Sequence, residues 1–223
     1  MAANNDLSEV AKAHALIHDR LERIEQSLCG FVQHVIKEMN VTLADREWCR
    51  IDGDSRSKKA ISLKRALDEA GKTANQILEI DDLVGVRAVV LRLSDVERLS
   101  KAILNSSALK LIDPRPRKTQ DKLTGYRALH IKGKFNDGSG EVGCEIQIRT
   151  ELQDAWAVVS RKDLYHKEAS AVIRRLMWLQ AEHLAVVDEA FELIGAMSED
   201  YVIRPIAMPK SAQVAPVELE AGR

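Results

Sequence analysis

The chain has 223 residues, enough for one substantial domain with helical attachments, and its composition of 45% hydrophobic and 30% charged residues excludes global disorder. With 33 basic residues against 34 acidic ones the net charge is −1, which excludes a general electrostatic pull toward DNA or a membrane, so any anion site must be a local cluster. Cys29, Cys49 and Cys144 are odd in number and contain no CxxC pair, which excludes a disulfide framework or a structural zinc site and fits a reducing cytoplasm.

In chain order, the first segment carries Asn4, Asn5, Asp6 and Glu9 and lacks the cationic start and apolar core of an export signal. No run approaches the roughly 18 apolar residues of a membrane span, so the expectation is a soluble, cytoplasmic protein. From Leu7 to Val35, apolar or semi-apolar positions (Val10, His14, Ile17, Leu21, Ile24, Leu28 and Phe31 between them) step by three and four, predicting one long helix with a narrow docking seam. Arg56, Lys58, Lys59, Lys64 and Arg65 lead into a second helix; they make a solvated basic face or a set of cations for polyphosphate oxygens.

Asp81 and Asp82 precede a valine-rich strand, Val84 to Leu91, in which Arg87 demands a partner. Two carboxylates at a strand mouth are either a turn or ligands for a hard cation shared with substrate phosphates. Ser94 is expected to cap a helix running to about Asn105. Ala108 to Ile112 suggests a short strand that Pro114 and Pro116 terminate, followed by a flexible basic loop with Arg115, Arg117, Lys118 and Lys122. Tyr126 to Phe135 alternates as a strand and sets Tyr126 and His130 on one side, suited to stacking a base and bonding a phosphate or ribose.

Gly143 to Arg149 alternates again, with Glu145, Gln147 and Arg149 on one face and Cys144, Ile146 and Ile148 on the other. An ordinary half-buried strand has the same pattern, but a carboxylate, an amide and a guanidinium in a row also form the kind of polar surface that phosphate transfer needs. A helix with Asp154, Trp156, Arg161, Lys162 and Tyr165 follows. A second helical seam then runs through Val172, Leu176, Leu179, His183, Val186, Ala190, Leu193 and Met197, complementary to the first and able to pack on it or across subunits. Beyond Tyr201 the periodicity ends and a mobile tail is expected. The organisation expected is a helical segment over 1–45, a sheet domain over 46–167, a helix over 168–201 and a tail over 202–223, an α+β fold.

Asp82-x-x-Gly-x-Arg87, Lys122-x-x-Gly-Tyr126-Arg-x-x-His130, Glu145-Ile-Gln-Ile-Arg-Thr150 and Asp154-x-Trp156-Ala, in this order, resemble the synthetase domain of the RelA/SpoT alarmone proteins. The likeness spans about Arg50 to Lys167, and the flanking helices resemble the stand-alone small alarmone synthetases. It implies a nucleotidyltransferase-like mixed sheet flanked by helices, and transfer of the β,γ-pyrophosphate of ATP to the 3′-hydroxyl of GDP or GTP with Mg²⁺ as cofactor. By the same resemblance Asp82 and Glu145 are the catalytic, metal-side carboxylates, with Glu145 alternatively the base. Arg56, Lys58, Lys64 and Arg87 face ATP, Tyr126 stacks the acceptor base, and Lys122, His130, Gln147 and Arg149 support the acceptor. The basic motif around Arg56 to Lys64 is two residues short of the family pattern, and Ser160-Arg161 stands where small synthetases carry Glu-His. That exchange of a carboxylate for a cation opens two alternatives: an adenine nucleotide or the 3′ end of tRNA as acceptor, and a nucleotide-binding module without turnover.

Overall fold

Val84, Val86, Val89 and Val90 favour a pleated, buried backbone, and they build an interior strand of the sheet in the computed structural model of the chain, which describes residues 5–42, 49–51, 56–57, 59–106, 112–120, 124–136, 138–163 and 169–200. The strands are β1 (Cys49–Ile51), β2 (Arg56–Ser57), β3 (Val84–Val90), β4 (Ile112–Gln120), β5 (Arg127–Asn136) and β6 (Glu141–Thr150). They form one mixed sheet in the order β1-β3-β6-β5-β4, with β2 also pairing to β3. β3 and β6 are parallel, and the remaining pairs are antiparallel.

Strand alternation divides the sheet into two unlike faces. Val84, Val86, Ala88 and Val90 of β3, Leu129 and Ile131 of β5, and Val142, Cys144, Ile146 and Ile148 of β6 form a continuous core. The helices α1 (Leu7–Thr42), α2 (Ala60–Ala70) and α3 (Leu93–Asn105), with a 3-10 turn over Ala74–Glu79, cover that face through Val10, Leu21, Leu28, Leu63, Leu67, Leu99 and Ile103. The first helical seam is therefore the docking stripe of α1, although Leu7 itself is exposed. α4 (Glu151–Asp163) packs against β3 and β6 and meets α5 (Ala171–Asp200) in a smaller cluster of Trp156, Ala157, Met177 and Ala181, against which Tyr126 and Leu184 pack. Gly125, at φ +82°, turns the chain onto α5 so closely that a Cβ there would overlap the Cβ of Ala181.

Three expectations change. The segment expected to end at Pro114 and Pro116 is instead strand β4, which continues through both prolines to Gln120. Among the described strands β4 pairs on one side only, so a missing N–H is tolerated on its outer edge, and the register is irregular between Ile112 and Arg115, where Pro114 falls. The supposed basic loop is thus mostly strand; Ala108 to Leu111 and Lys122 lie outside the described residues. Ser94 is not the cap of α3. Arg92 occupies the cap position, and the Ser94 N–H donates to the Glu192 carboxylate of α5 at 3.0 Å, so a tertiary acceptor replaces the local one.

The second seam is not the docking face of α5. Val172, Leu176, Val186, Leu193 and Met197 are exposed, whereas Met177, Ala181, Asp188 and Gly195 are buried. α1 packs on the sheet, α2 and α3, and α5 packs on α4 and α3, so the two long helices serve different surfaces. Asp188 decides the facing, because its carboxylate accepts the Thr150 hydroxyl at 2.7 Å. The tail expected after Tyr201 lies outside the described residues.

Candidate active site

The face of the sheet not covered by α1, α2 and α3 carries the polar rows. Pairing aligns Gly85 with Glu145 and Glu145 with Lys132, and one step along the strands it aligns Arg87 with Gln147, His130 and Arg117. Residues in register share a face, so β4, β5, β6 and β3 contribute to one surface. Lys118, one residue off, points the other way and pairs with Glu97 of α3 at 2.8 Å.

Five side chains on this surface, those of Glu145, His130, Tyr126, Arg149 and Gln147, close a ring. His130 Nδ1 lies 2.7 Å from Glu145 Oε1, Gln147 Nε2 donates to Glu145 Oε2 at 2.6 Å, and Arg149 Nη2 donates to Gln147 Oε1 at 3.0 Å and to the Tyr126 hydroxyl at 2.6 Å. The Tyr126 oxygen lies 3.0 Å from His130 Nε2 and completes the circuit. Because the guanidinium only donates, the Tyr126 oxygen is its acceptor, and the imidazole presents its Nδ1 proton to the Glu145 carboxylate.

Burial pushes the Glu145 carboxyl up, but the hydrogen bond and charge of His130, the Gln147 amide and the Lys132 ammonium outweigh it and hold the group at about 2. Burial pushes the Tyr126 phenol up against the opposing pull of Arg149, so the ring keeps its proton. Arg149 also lies over the Tyr126 ring, 5.0 Å from its centroid.

Behind the ring, Asp154 of α4 accepts from Arg149 at 3.2 Å and pairs with Arg87 at 3.5 Å. All three are almost wholly buried. Asp154 thus supplies the partner that Arg87 required, and it fixes the direction of the Arg149 fork. Asp154 was visible as part of a motif, but not as a clamp joining two strands to a helix. Its place in the first turn of the helix after β6 is the local signal. Lys132 was missed as well. It shares the face of His130, and its ammonium stands 3.9 Å from Glu145 Oε1.

The remaining candidates are spread out. Asp82 lies in the turn before β3, three residues from Gly85, or at most roughly 10 Å of backbone from the position paired with Glu145. Arg56 is placed by its backbone in register with Gly85, one strand beyond Glu145. Lys64 is bound instead to Asp68 on its own helix, at 2.5 Å, in a cluster that Asn5 joins. The Lys64 hydrogen bond, with those of Asn5, holds the Asp68 carboxyl down at about 2. Lys58 and Lys122 lie outside the described residues.

Among the described residues, no group of three or more His, Cys, Asp or Glu side chains is arranged to hold a metal ion by itself. Asp82, in the turn before β3, and Glu145, in the middle of the parallel strand β6, are the carboxylates available there to a hard cation, which would take water and substrate phosphates as its other ligands.

The profile of the region found in RelA/SpoT proteins matches residues 55–170. The chain belongs to that family. Solved structures share the fold. A GTP pyrophosphokinase family protein from Streptococcus pneumoniae superposes with a TM-score of 0.70 at 20% identity, over 84% of this chain and 94% of its own. The small alarmone synthetase 1 from Bacillus subtilis bound to its product pppGpp gives 0.67 at 20% identity, over 84% and 96%. The small alarmone synthetase 2 from Bacillus subtilis gives 0.61 at 22% identity, over 82% and 98%. No curated protein sequence matches the chain.

Proposed function

We propose that this RelA/SpoT-family chain is an ATP-dependent nucleotide 3′-pyrophosphokinase that makes (p)ppGpp and AMP from ATP and GDP or GTP in the cytoplasm. Family membership supports pyrophosphate transfer between nucleotides in general, and the closed ring of Glu145, His130, Tyr126, Arg149 and Gln147 on the open face carries the particular assignment. The acceptor's 3′-oxygen forms a bond to the β-phosphorus of ATP, the bond from that phosphorus to the α,β-bridging oxygen breaks, AMP leaves, and the hydroxyl proton passes to solvent. Such a transfer needs positioning and charge neutralisation more than a strong base.

A carboxyl held at about 2 is a weak base for an alcohol, so we assign Glu145 to orienting the hydroxyl and facing the metal. Mg²⁺, when bound between Asp82 and Glu145, supplies charge for the phosphate oxygens. Tyr126 presents the stacking surface for the acceptor base, and His130, Gln147 and Arg149 hold that surface in place. Arg87 stiffens it through Asp154, while Arg56, whose backbone pairs with Gly85, is assigned to the donor side. Ser160 is buried and bonds the Ala157 carbonyl, so no carboxylate stands at that point of α4. This favours, as the second reading, the same donor with a bulkier anionic acceptor. The exposed apolar side of α5, with Val172, Leu176, Val186 and Leu193, is assigned to self-association; sedimentation as a lone 24.9 kDa particle refutes that.

The decisive experiment supplies ATP labelled in its β,γ-phosphates with Mg²⁺ and, in turn, GDP, GTP, AMP, ADP, ATP or deacylated tRNA. Label is expected on the guanine nucleotides and is abolished by Glu145→Gln and by Asp82→Asn in folded protein. Label on tRNA alone selects the second reading. Label on no acceptor, or undiminished turnover by Glu145→Gln, overturns the assignment.

A further inference from the structure

We propose that Gly143 is a positioning residue that seats the Asp82 turn beside Glu145, an inference that rests on the pyrophosphokinase reading above. Continued backward from Val84 and Val86, strand alternation would put Asp82 on the helix-covered face, away from Glu145. The alternation breaks first, since Leu83 and Val84 are both buried in the same core. The turn is held by β6 at this point: the Leu83 N–H donates to the Gly143 carbonyl at 3.1 Å.

The bare Cα of Gly143 is what allows this approach. A Cβ there would overlap the Ile80 carbonyl oxygen and stand 2.6 and 2.7 Å from the Asp81 carbonyl carbon and Cα. These are backbone atoms, which cannot swing aside as a side-chain tip can. Gly143 precedes Glu145 by two residues and so shares its face of β6. One residue therefore holds the strand of one carboxylate against the turn of the other. Gly85, paired with Glu145, differs, because a Cβ there would meet only ordinary contact at 3.7 Å.

The test measures binding of a non-hydrolysable ATP analogue by calorimetry, with and without Mg²⁺, in the parent, Gly143→Ala, Asp82→Asn and Gly143→Ala/Asp82→Glu. Mg²⁺ should tighten binding in the parent, and Gly143→Ala should lose about 10- to 100-fold of that tightening, as when a group supporting a ligand is removed, with metal-free affinity unchanged. The longer carboxylate of Asp82→Glu should restore part of it, which a general loss of stability would not permit. Full Mg²⁺ tightening in Gly143→Ala, alongside its loss in Asp82→Asn, overturns the inference alone. Retention in Asp82→Asn overturns it together with the metal-side role of Asp82. If the alanine variant does not fold, Mn²⁺ with the analogue decides in the parent: broadening of the Gly143 amide resonance that Asp82→Asn removes supports the inference, and an unbroadened Gly143 overturns it.

Discussion

Asp154→Asn removes one charge while preserving shape, and so isolates the electrostatic role of the clamp. Arg87 is 5% exposed, Arg149 2% and Asp154 5%, so the range of about 0–1 kcal/mol for solvated surface pairs does not apply. Without the carboxylate, two guanidiniums remain buried near each other, and Arg149 keeps the Tyr126 hydroxyl and the Gln147 carbonyl as acceptors. Breaking a buried pair from one side costs about 3–5 kcal/mol, chiefly through the charge left behind. With a urea slope of about 1–3 kcal/mol per molar, the unfolding midpoint should fall by at least about 1 M. Asp154→Asn/Arg87→Met should recover part of the loss, because the double variant leaves only one buried cation. A shift below about 0.3 M, equivalent to less than about 1 kcal/mol at these slopes, with no recovery in the double variant, would refute the clamp.

Tyr126→Phe should cost about 1–3 kcal/mol by leaving Arg149 and His130 without the hydroxyl, yet retain acceptor affinity, whereas Tyr126→Ala should lose both; equal acceptor KM values for the two variants would remove stacking from the account. In metal-free protein, the contribution of Glu145 to stability should be complete above its ordinary pKa of 4.5 and disappear as pH falls toward about 2. The folded carboxyl lies below its unfolded value, so the loss is on the acid side and amounts to on the order of 3 kcal/mol. Glu145→Gln should flatten that acid limb in denaturation curves, and an unchanged slope would contradict the ring. Burial, with the Glu145 charge, pushes the Cys144 thiol up to about 12, so mass mapping should find it unalkylated in native protein at pH 8 and alkylated in urea; rapid native labelling would contradict its place in the core.

Periodicity by itself determined the central strands, the docking stripe of α1 and the shared face of Glu145, Gln147 and Arg149, because side-chain direction follows backbone geometry residue by residue. The order of motifs pointed to the family for a related reason: each fragment sits on a strand or turn whose spacing sets what meets in the sheet. Other matters depended on partners distant in the chain. β4 accepts Pro114 and Pro116 because no described strand pairs on its outer side, and that edge position is a property of the whole sheet. α5 has apolar residues around much of its circumference, so its buried side was settled by Thr150 and Asp188 and by the surfaces of α4 and α3. Asp154 became the common partner of Arg87 and Arg149 only when parallel strands 60 residues apart were brought into register, Val89 beside Arg149. A single sequence states the faces of its elements; which faces meet is decided by burial and charge pairing among segments that cannot sense each other until the chain is folded.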